Sequence, residues 1–280
     1  MDHTIIQVLP RFLETLGLDE DPMGLYFTHE KPDIGYSPDP MDLPTREKER
    51  QNAVDWAQIF GGFSCALGKI WLARKKKSCA WFSASHFGCP GAAFWLGFTK
   101  PQVHTIIHYV SAGIPDRMQG EFYCDSPENL EKLFNYVDPA PAPSPYCVFK
   151  PLSLFEPDRI PLQVSFFARP ESMSGLHQLA TFVTNDPQVV ASPWSAACGS
   201  LVAWPFHYLA KGEQRAVLGG WDPSARKFFK TDELSFTVPW DLFCQMLERY
   251  EESFLKTGTW QTVVKKINKS RKAWNETPVE

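Results

Sequence analysis

Apolar positions at Ile5, Ile6, Val8, Leu9, Phe12 and Leu13 recur with helical spacing and predict a helix over residues 1–18, distorted in its early turns by Pro10. Asp21-Pro22 marks a turn, and Met23 to His29 reads as a strand. Residues 30–48 are rich in Pro and Asp, have no clear period, and predict a long surface loop. A helix is expected from Ala53 to Lys75, with a basic end that suits a helix C-terminus. Cys79 to Phe87 reads as a strand, Gly88 to Gly91 as a turn, and Ala92 to Gly97 as a short helix. Residues 101–124 are read as a helix and a return strand. Pro127 to Val137 is a helix with Ser126 as its cap and Pro127 in its first position.

Residues 138–145, DPAPAPSP, form a proline-rich connector. Beyond it the plan recurs. Cys147 to Phe155 and Leu162 to Ala168 read as strands, and Pro170 to Val183 as a helix. Ala196 to Lys211 is a second helix, distorted near Pro205, and Arg215 to Gly219 a strand. Trp221-Asp222-Pro223 is a turn, and Pro239 to Thr257 and Trp260 to Trp274 are closing helices.

The recurrence is visible in the residues themselves. A proline leads into an apolar strand at Pro22 and again at Pro161. Cys65 and Trp71 are six apart, as are Cys198 and Trp204. Cys65 precedes Cys89 by 24 residues, and Cys198 precedes Asp222 by 24. Cys89 and Asp222 each stand just before a proline. The expected fold is therefore α/β (α+β): two diverged repeats of a strand–helix–strand–helix unit packed with pseudo-two-fold symmetry. The first repeat is 1–137, the connector 138–145, and the second repeat with its C-terminal helices 146–280, all in one compact unit.

Composition narrows the class. The chain has 280 residues, 44% hydrophobic, 14% aromatic and 21% charged, enough for a sizeable core. The net charge of −4 does not advertise nucleic acid as a partner. The N-terminus has no basic start, and the apolar tracts Ala92–Phe98 and Leu201–Leu209 are too short to span a bilayer. A cytoplasmic location without membrane contact is expected. With seven cysteines, an odd number, disulfides are a poor default in such a chain.

If equivalent elements of the repeats meet, Cys65, Cys89, Cys198 and Asp222 face one centre. Three thiolates and a carboxylate suit an iron–sulfur cluster, with zinc as the alternative metal. His86, three residues before Cys89, is an alternative ligand. Two other readings stay open. One is a metal-free small-molecule pocket lined by Trp71, Trp81, Trp95, Trp204 and Trp221. The other is thiol catalysis by Cys89 with His86. A small molecule or a redox protein is the expected partner. Asp222 also reads as an ordinary helix cap, and Cys79, Cys124, Cys147 and Cys244 as small buried side chains.

His104 and His108 are four apart and can share a helix face, but no glutamate follows His104 as in zinc-peptidase helices. His177 and His207 have no partner motif. There is no phosphate-binding loop, dinucleotide fingerprint or nucleophile elbow; Gly62 to Ala66 misses the elbow at its last residue. The basic run from Lys265 to Lys272 reads as a solvated helix face.

Several of these segments together resemble one family. They are Cys65-Ala66-Leu67-Gly68, Gly88-Cys89-Pro90-Gly91 with Leu96-Gly97-Phe98, and Ala197-Cys198-Gly199. Pro22-Met23-Gly24-Leu25, the strand from Pro161 to Phe167 with Arg169-Pro170, and the stretch from Arg226-Lys227-Phe228 to Asp232-Glu233-Leu234 before Pro239 also fit. The chain resembles the domain of unknown function 169 over about residues 10–250. The resemblance implies a cytosolic prokaryotic protein of the kind found in anaerobic bacteria and archaea. It supports the choice of Cys65, Cys89 and Cys198, and it implies no reaction.

Overall fold

The computed structural model describes residues 3–100 and 103–274. The expectations for Met1 and Asp2 fall outside that range, as do the side chains of Ile5 and Ile6. The chain opens with α1 (His3–Leu16), β1 (Met23–Thr28), α2 (Arg46–Arg50), α3 (Trp56–Gly61) and α4 (Ala66–Lys76). Next come β2 (Ala80–Ser83), α5 (Pro90–Trp95), α6 (His104–Val110), β3 (Gly113–Ile114), β4 (Met118–Gln119) and α7 (Pro127–Val137). After the connector follow β5 (Tyr146–Pro151), β6 (Gln163–Ala168), α8 (Pro170–Thr184), β7 (Val190–Ala191), α9 (Ala197–Leu201) and α10 (Ala203–Ala210). The chain closes with β8 (Ala216–Gly219), a 3-10 turn (Pro223–Phe228), β9 (Leu234–Pro239), α11 (Trp240–Arg249) and α12 (Gly258–Ala273).

The class is mixed α/β. Among the described residues, seven strands form one sheet in the order β2-β5-β1-β6-β9-β8-β7, and β3 and β4 form a separate hairpin. Every pairing in the large sheet is antiparallel except β7 with β8. β5, the first strand after the connector, lies between β1 and β2, so both parts of the chain share one sheet. The two proline-led strands, β1 and β6, are neighbours at its centre, with Gly24 opposite Val164.

Alternation along the strands sends side chains to two cores. On one face Val164, Phe166, Phe236 and Val238 pack beneath the amphipathic helices α1, α8 and α11. Phe12 from α1 and Phe243 from α11 are fully buried there, their rings 6.4 Å apart and near perpendicular. On the other face Leu25, Phe82, Phe149 and Val217 pack beneath α4 and the shorter helices α5, α9 and α10. This face carries a buried polar seam on β6 and β9: Gln163, Ser165, Ser235 and Thr237. Ser165 and Thr237 hydrogen-bond across the strands at 3.0 Å.

Several elements differ from the sequence pattern, among them the helix expected over 239–257, which ends as α11 at Arg249, and three further differences shape the sheet and the helices over it. The helix expected over 53–75 is two helices: α3 ends at Gly61-Gly62, and the chain restarts at Cys65. The break is fixed by Ser64, whose N–H donates to the carbonyl of Gly88 at 2.8 Å. The helix expected over 196–211 breaks at Val202 (φ −133°, ψ −67°), three residues before Pro205. A proline ring displaces the carbonyl four residues back, here that of Leu201. That carbonyl accepts a hydrogen bond from the buried Gln163 amide instead. Finally, β9 was not expected, because Ser235 and Thr237 dilute an apolar run that alternates through Leu234, Phe236 and Val238.

A buried cation anchors α4. Arg74, near its C-terminus, meets Glu20 at 2.6 Å and Glu233 at 2.7 Å, and its guanidinium lies 3.9 Å from the centre of the Phe167 ring. This joins the approaches to β1 and β9 to the helix that begins at Cys65.

Candidate functional site

Beneath the short helices is a cavity of about 640 Å³, lined by Cys65, Cys89, Cys198 and Asp222. The four residues singled out from the repeat pattern therefore share one enclosure. Each occupies the start of a helix. Cys65 is the cap of α4, Cys89 the cap of α5, and Asp222 the cap of the 3-10 turn. Cys198 is the second residue of α9, whose cap is Ala196. Neither Cys65 nor Cys198 is deep inside a long helix.

Local contacts bring these helix starts together. The Ser64–Gly88 bond ties the segment before α4 to the segment before α5. Gly88 has φ +85°, and an added Cβ would sit 2.5 Å from the Ser64 carbonyl oxygen, so a side chain here forces the two segments apart. Gly199 lets α9 lie directly on the Trp95 ring of α5, which an added Cβ would approach to 2.7 Å. Asp222 joins the last two starts. Its Oδ1 accepts from the Ser224 N–H at 3.0 Å and the Ser224 hydroxyl at 2.8 Å, and its Oδ2 accepts from the Ala197 N–H at 3.3 Å. Asp222 is thus a cap for two elements and a wall of the cavity at once.

The thiols are electrostatically alike. Burial pushes Cys89 up to about 12, opposed by the N–H groups of Ala92 and Gly91. Its sulfur accepts from the Ala92 N–H at 3.3 Å. Burial also raises Cys65, against the N–H groups of Leu67 and Gly68. Cys198 is raised well above the ordinary value by burial, and further by Cys89, Cys65 and Asp222. The three thiols are therefore neutral at pH 7 without a bound cation, while the helix-start N–H groups stand ready to stabilise a thiolate charge. Among the described residues, Lys227 is the single basic side chain lining the cavity.

The sequence reading missed part of the wall. Phe60, Phe63 and Tyr109 pack together on one side, with Phe60 and Tyr109 ring centres 4.6 Å apart. Trp194 and Trp221 lie on the other side, 41% and 55% exposed. Glu121 also lines the cavity, with its carboxyl pKa raised by desolvation and by Asp222. Of the five tryptophans expected to line a pocket, Trp95 and Trp221 do so, whereas Trp71, Trp81 and Trp204 are not among the lining residues.

His86 lies away from this lining. Its Nδ1 is 3.1 Å from the Ser83 hydroxyl and 3.0 Å from that of Ser85, and its ring lies 4.9 Å from that of Trp81. All seven cysteines are free thiols. Cys147 is buried in β5, and Cys79 donates to the Ile34 carbonyl at 3.0 Å. His177 and His207 lie on α8 and α10, and His207 Nδ1 is 2.9 Å from the Val137 carbonyl.

Among the described residues, no group of three or more His, Cys, Asp or Glu side chains is placed to hold one metal ion. None of the described helices is long and apolar enough to cross a membrane. Comparison with curated proteins and with solved structures finds no match to this chain. The family model for domain of unknown function 169, described as an uncharacterised ArCR, matches residues 11–249, and the chain belongs to that family.

Proposed function

We propose that the cavity holds an iron–sulfur cluster, with Cys65, Cys89 and Cys198 as its thiolate ligands and Asp222 beside the fourth corner. The observation that carries this reading is the meeting of three cysteines, each at a helix start, on one cavity of about 640 Å³. A single ion needs its ligands crowded within one coordination sphere. A cluster spreads its cysteines around several irons, which suits thiols distributed around a cavity. N–H groups directed at the sulfurs are a means by which proteins tune such clusters. Zinc, the alternative metal read from the sequence, is disfavoured by the same argument, since no three donors among the described residues crowd around one ion, and His86 lies outside the ligand set.

The strand order supports the repeat as a further part of this proposal. Read outward from the β1/β6 pair, β1-β5-β2 mirrors β6-β9-β8, a match that counts β5 with the first unit and so sets the seam after residue 151 rather than at the connector 138–145. The helix starts at Cys65 and Cys198 precede β2 and β8, and those at Cys89 and Asp222 follow them. A structure of a distant family member tests this. Two units that superpose no better than unrelated strand–helix pairs would end it.

The cluster is tested by anaerobic purification, a visible spectrum and assay of iron and sulfide on one sample. A brown absorbance with both elements, lost in C65S, C89S and C198S, is the expected result. Protein that takes up neither element, even after reconstitution with iron and sulfide, overturns the reading. The aromatic wall favours a second reading, a metal-free small-molecule pocket, for which quenching of Trp194 and Trp221 fluorescence by ligand in metal-free protein is the test.

A further inference from the structure

We propose that His104 and His108 form a second, separate site, a two-imidazole clasp for a divalent transition-metal ion on the outer side of the cavity wall. The two residues stand four apart on α6, with His104 exposed and His108 half-buried. The same helix turns Ile106, Ile107, Tyr109 and Val110 toward the cavity, so the clasp backs the wall rather than facing the thiols.

The geometry is that of a chelate. The two Nε2 atoms are 3.2 Å apart, and the rings are near perpendicular at 87°. Two nitrogens that each lie about 2.1 Å from one metal are about 3.0–3.4 Å apart, for bond angles between square and tetrahedral. His108 Nδ1 lies 3.0 Å from the carbonyl oxygen of Gly113. A carbonyl only accepts, so Nδ1 carries the proton, and the neutral ring presents a bare lone pair at Nε2. A carbonyl that orients an imidazole in this way is a standard support for a metal-binding histidine. Without metal, a His104 Nε2–H can donate to that lone pair; when an ion binds, His104 takes its other neutral tautomer, the proton passing through water from Nε2 to Nδ1, and both Nε2 lone pairs face the ion.

The position of His104 is also fixed without metal. The Glu49 carboxylate accepts from the His104 N–H at 3.2 Å and the Thr105 N–H at 3.0 Å, pinning the first turn of α6. No third His, Cys, Asp or Glu completes the site among the described residues, so water fills the remaining positions. Two imidazoles with water select Cu²⁺, Ni²⁺ or Zn²⁺ over Mg²⁺ and Ca²⁺.

Calorimetric titration of the full chain with Ni²⁺ tests the clasp, in the wild type and in a C65A/C89A/C198A variant. One Ni²⁺ per chain is expected in both, because the clasp does not use the thiols. H104A and H108A should each weaken that site by about tenfold or more, since each leaves one imidazole without its chelating partner. Their metal-free melting curves should match the wild type, which separates lost binding from lost fold. Ni²⁺ binding unchanged in either histidine variant overturns the proposal. Binding abolished in the triple-cysteine variant also overturns it, by assigning the ion to the cavity. The histidine variants leave the cluster reading untouched, whereas loss in the triple-cysteine variant would show the cavity thiols taking up a metal ion.

Discussion

The two faces of the large sheet are built on different plans. One is covered by α1, α8 and α11, of 14, 15 and 10 residues, over aliphatic and aromatic side chains with rings in edge contact. The other is covered in part by α5 and α9, of six and five residues, over a seam of serines, a threonine and a glutamine. Long helices keep their unsatisfied ends away from the middle of a face, whereas short ones put those ends in the middle. The first plan yields cohesion. The second gathers backbone N–H groups and capping side chains around a cavity, and so makes a place for charge.

The contrast is most severely tested on the cohesive face. F243A empties a fully buried ring site there and should cost about 3–5 kcal/mol in urea unfolding, while the iron uptake that the proposed cluster implies stays unchanged per folded chain. A comparable loss of iron per folded chain would show that the faces are not independent. G88A should do the reverse. It forces an unfavourable backbone and a clash with Ser64, costing about 1–3 kcal/mol, and should also weaken retention of the proposed cluster by parting Cys65 from Cys89. Normal iron retention in G88A would remove the Ser64–Gly88 bond from its positioning role.

Alkali acts on the site face through its thiols. Cys89 titrates near 12 when folded against an ordinary 9.0, so on raising pH the unfolded chain loses its proton first. Stability of the metal-free protein is then full below about 9 and falls toward 12. A melting series over that range should show a shallower decline in C89A than in wild type. Equal slopes would mean that Cys89 titrates as a free thiol. The smallest effect is expected at the rim. W221A should change stability by no more than about 0.5 kcal/mol, since the ring is 55% exposed, yet weaken any ligand that quenches its fluorescence.

How far the sequence led follows from the same contrast. The long helices and the proline-led strands were legible, because burial of one face repeats the period of the element. The Cys/Asp spacing pointed to residues that line one cavity, since both pairs place a helix start on either side of a strand. What periodicity cannot express is where a helix restarts. The breaks at Cys65 and Val202 depend on Gly88 and Gln163, partners more than 20 residues away. The aromatic wall from Phe60 to Tyr109 was hidden for the same reason, because its members come from elements that meet only in the fold.

Because Cys89 and Asp222 cap their helices with their own side chains, either position can be served by another capping residue. Serine, threonine, aspartate and asparagine serve a helix start well, so a lineage can trade sulfur for oxygen there without rebuilding the scaffold. Cys89 and Asp222 already show both choices within one chain, each capping with its own side chain. If these caps hold the proposed cluster, exchange of one cap for another moves the site between soft and hard ligands while the opposite face stays as it is.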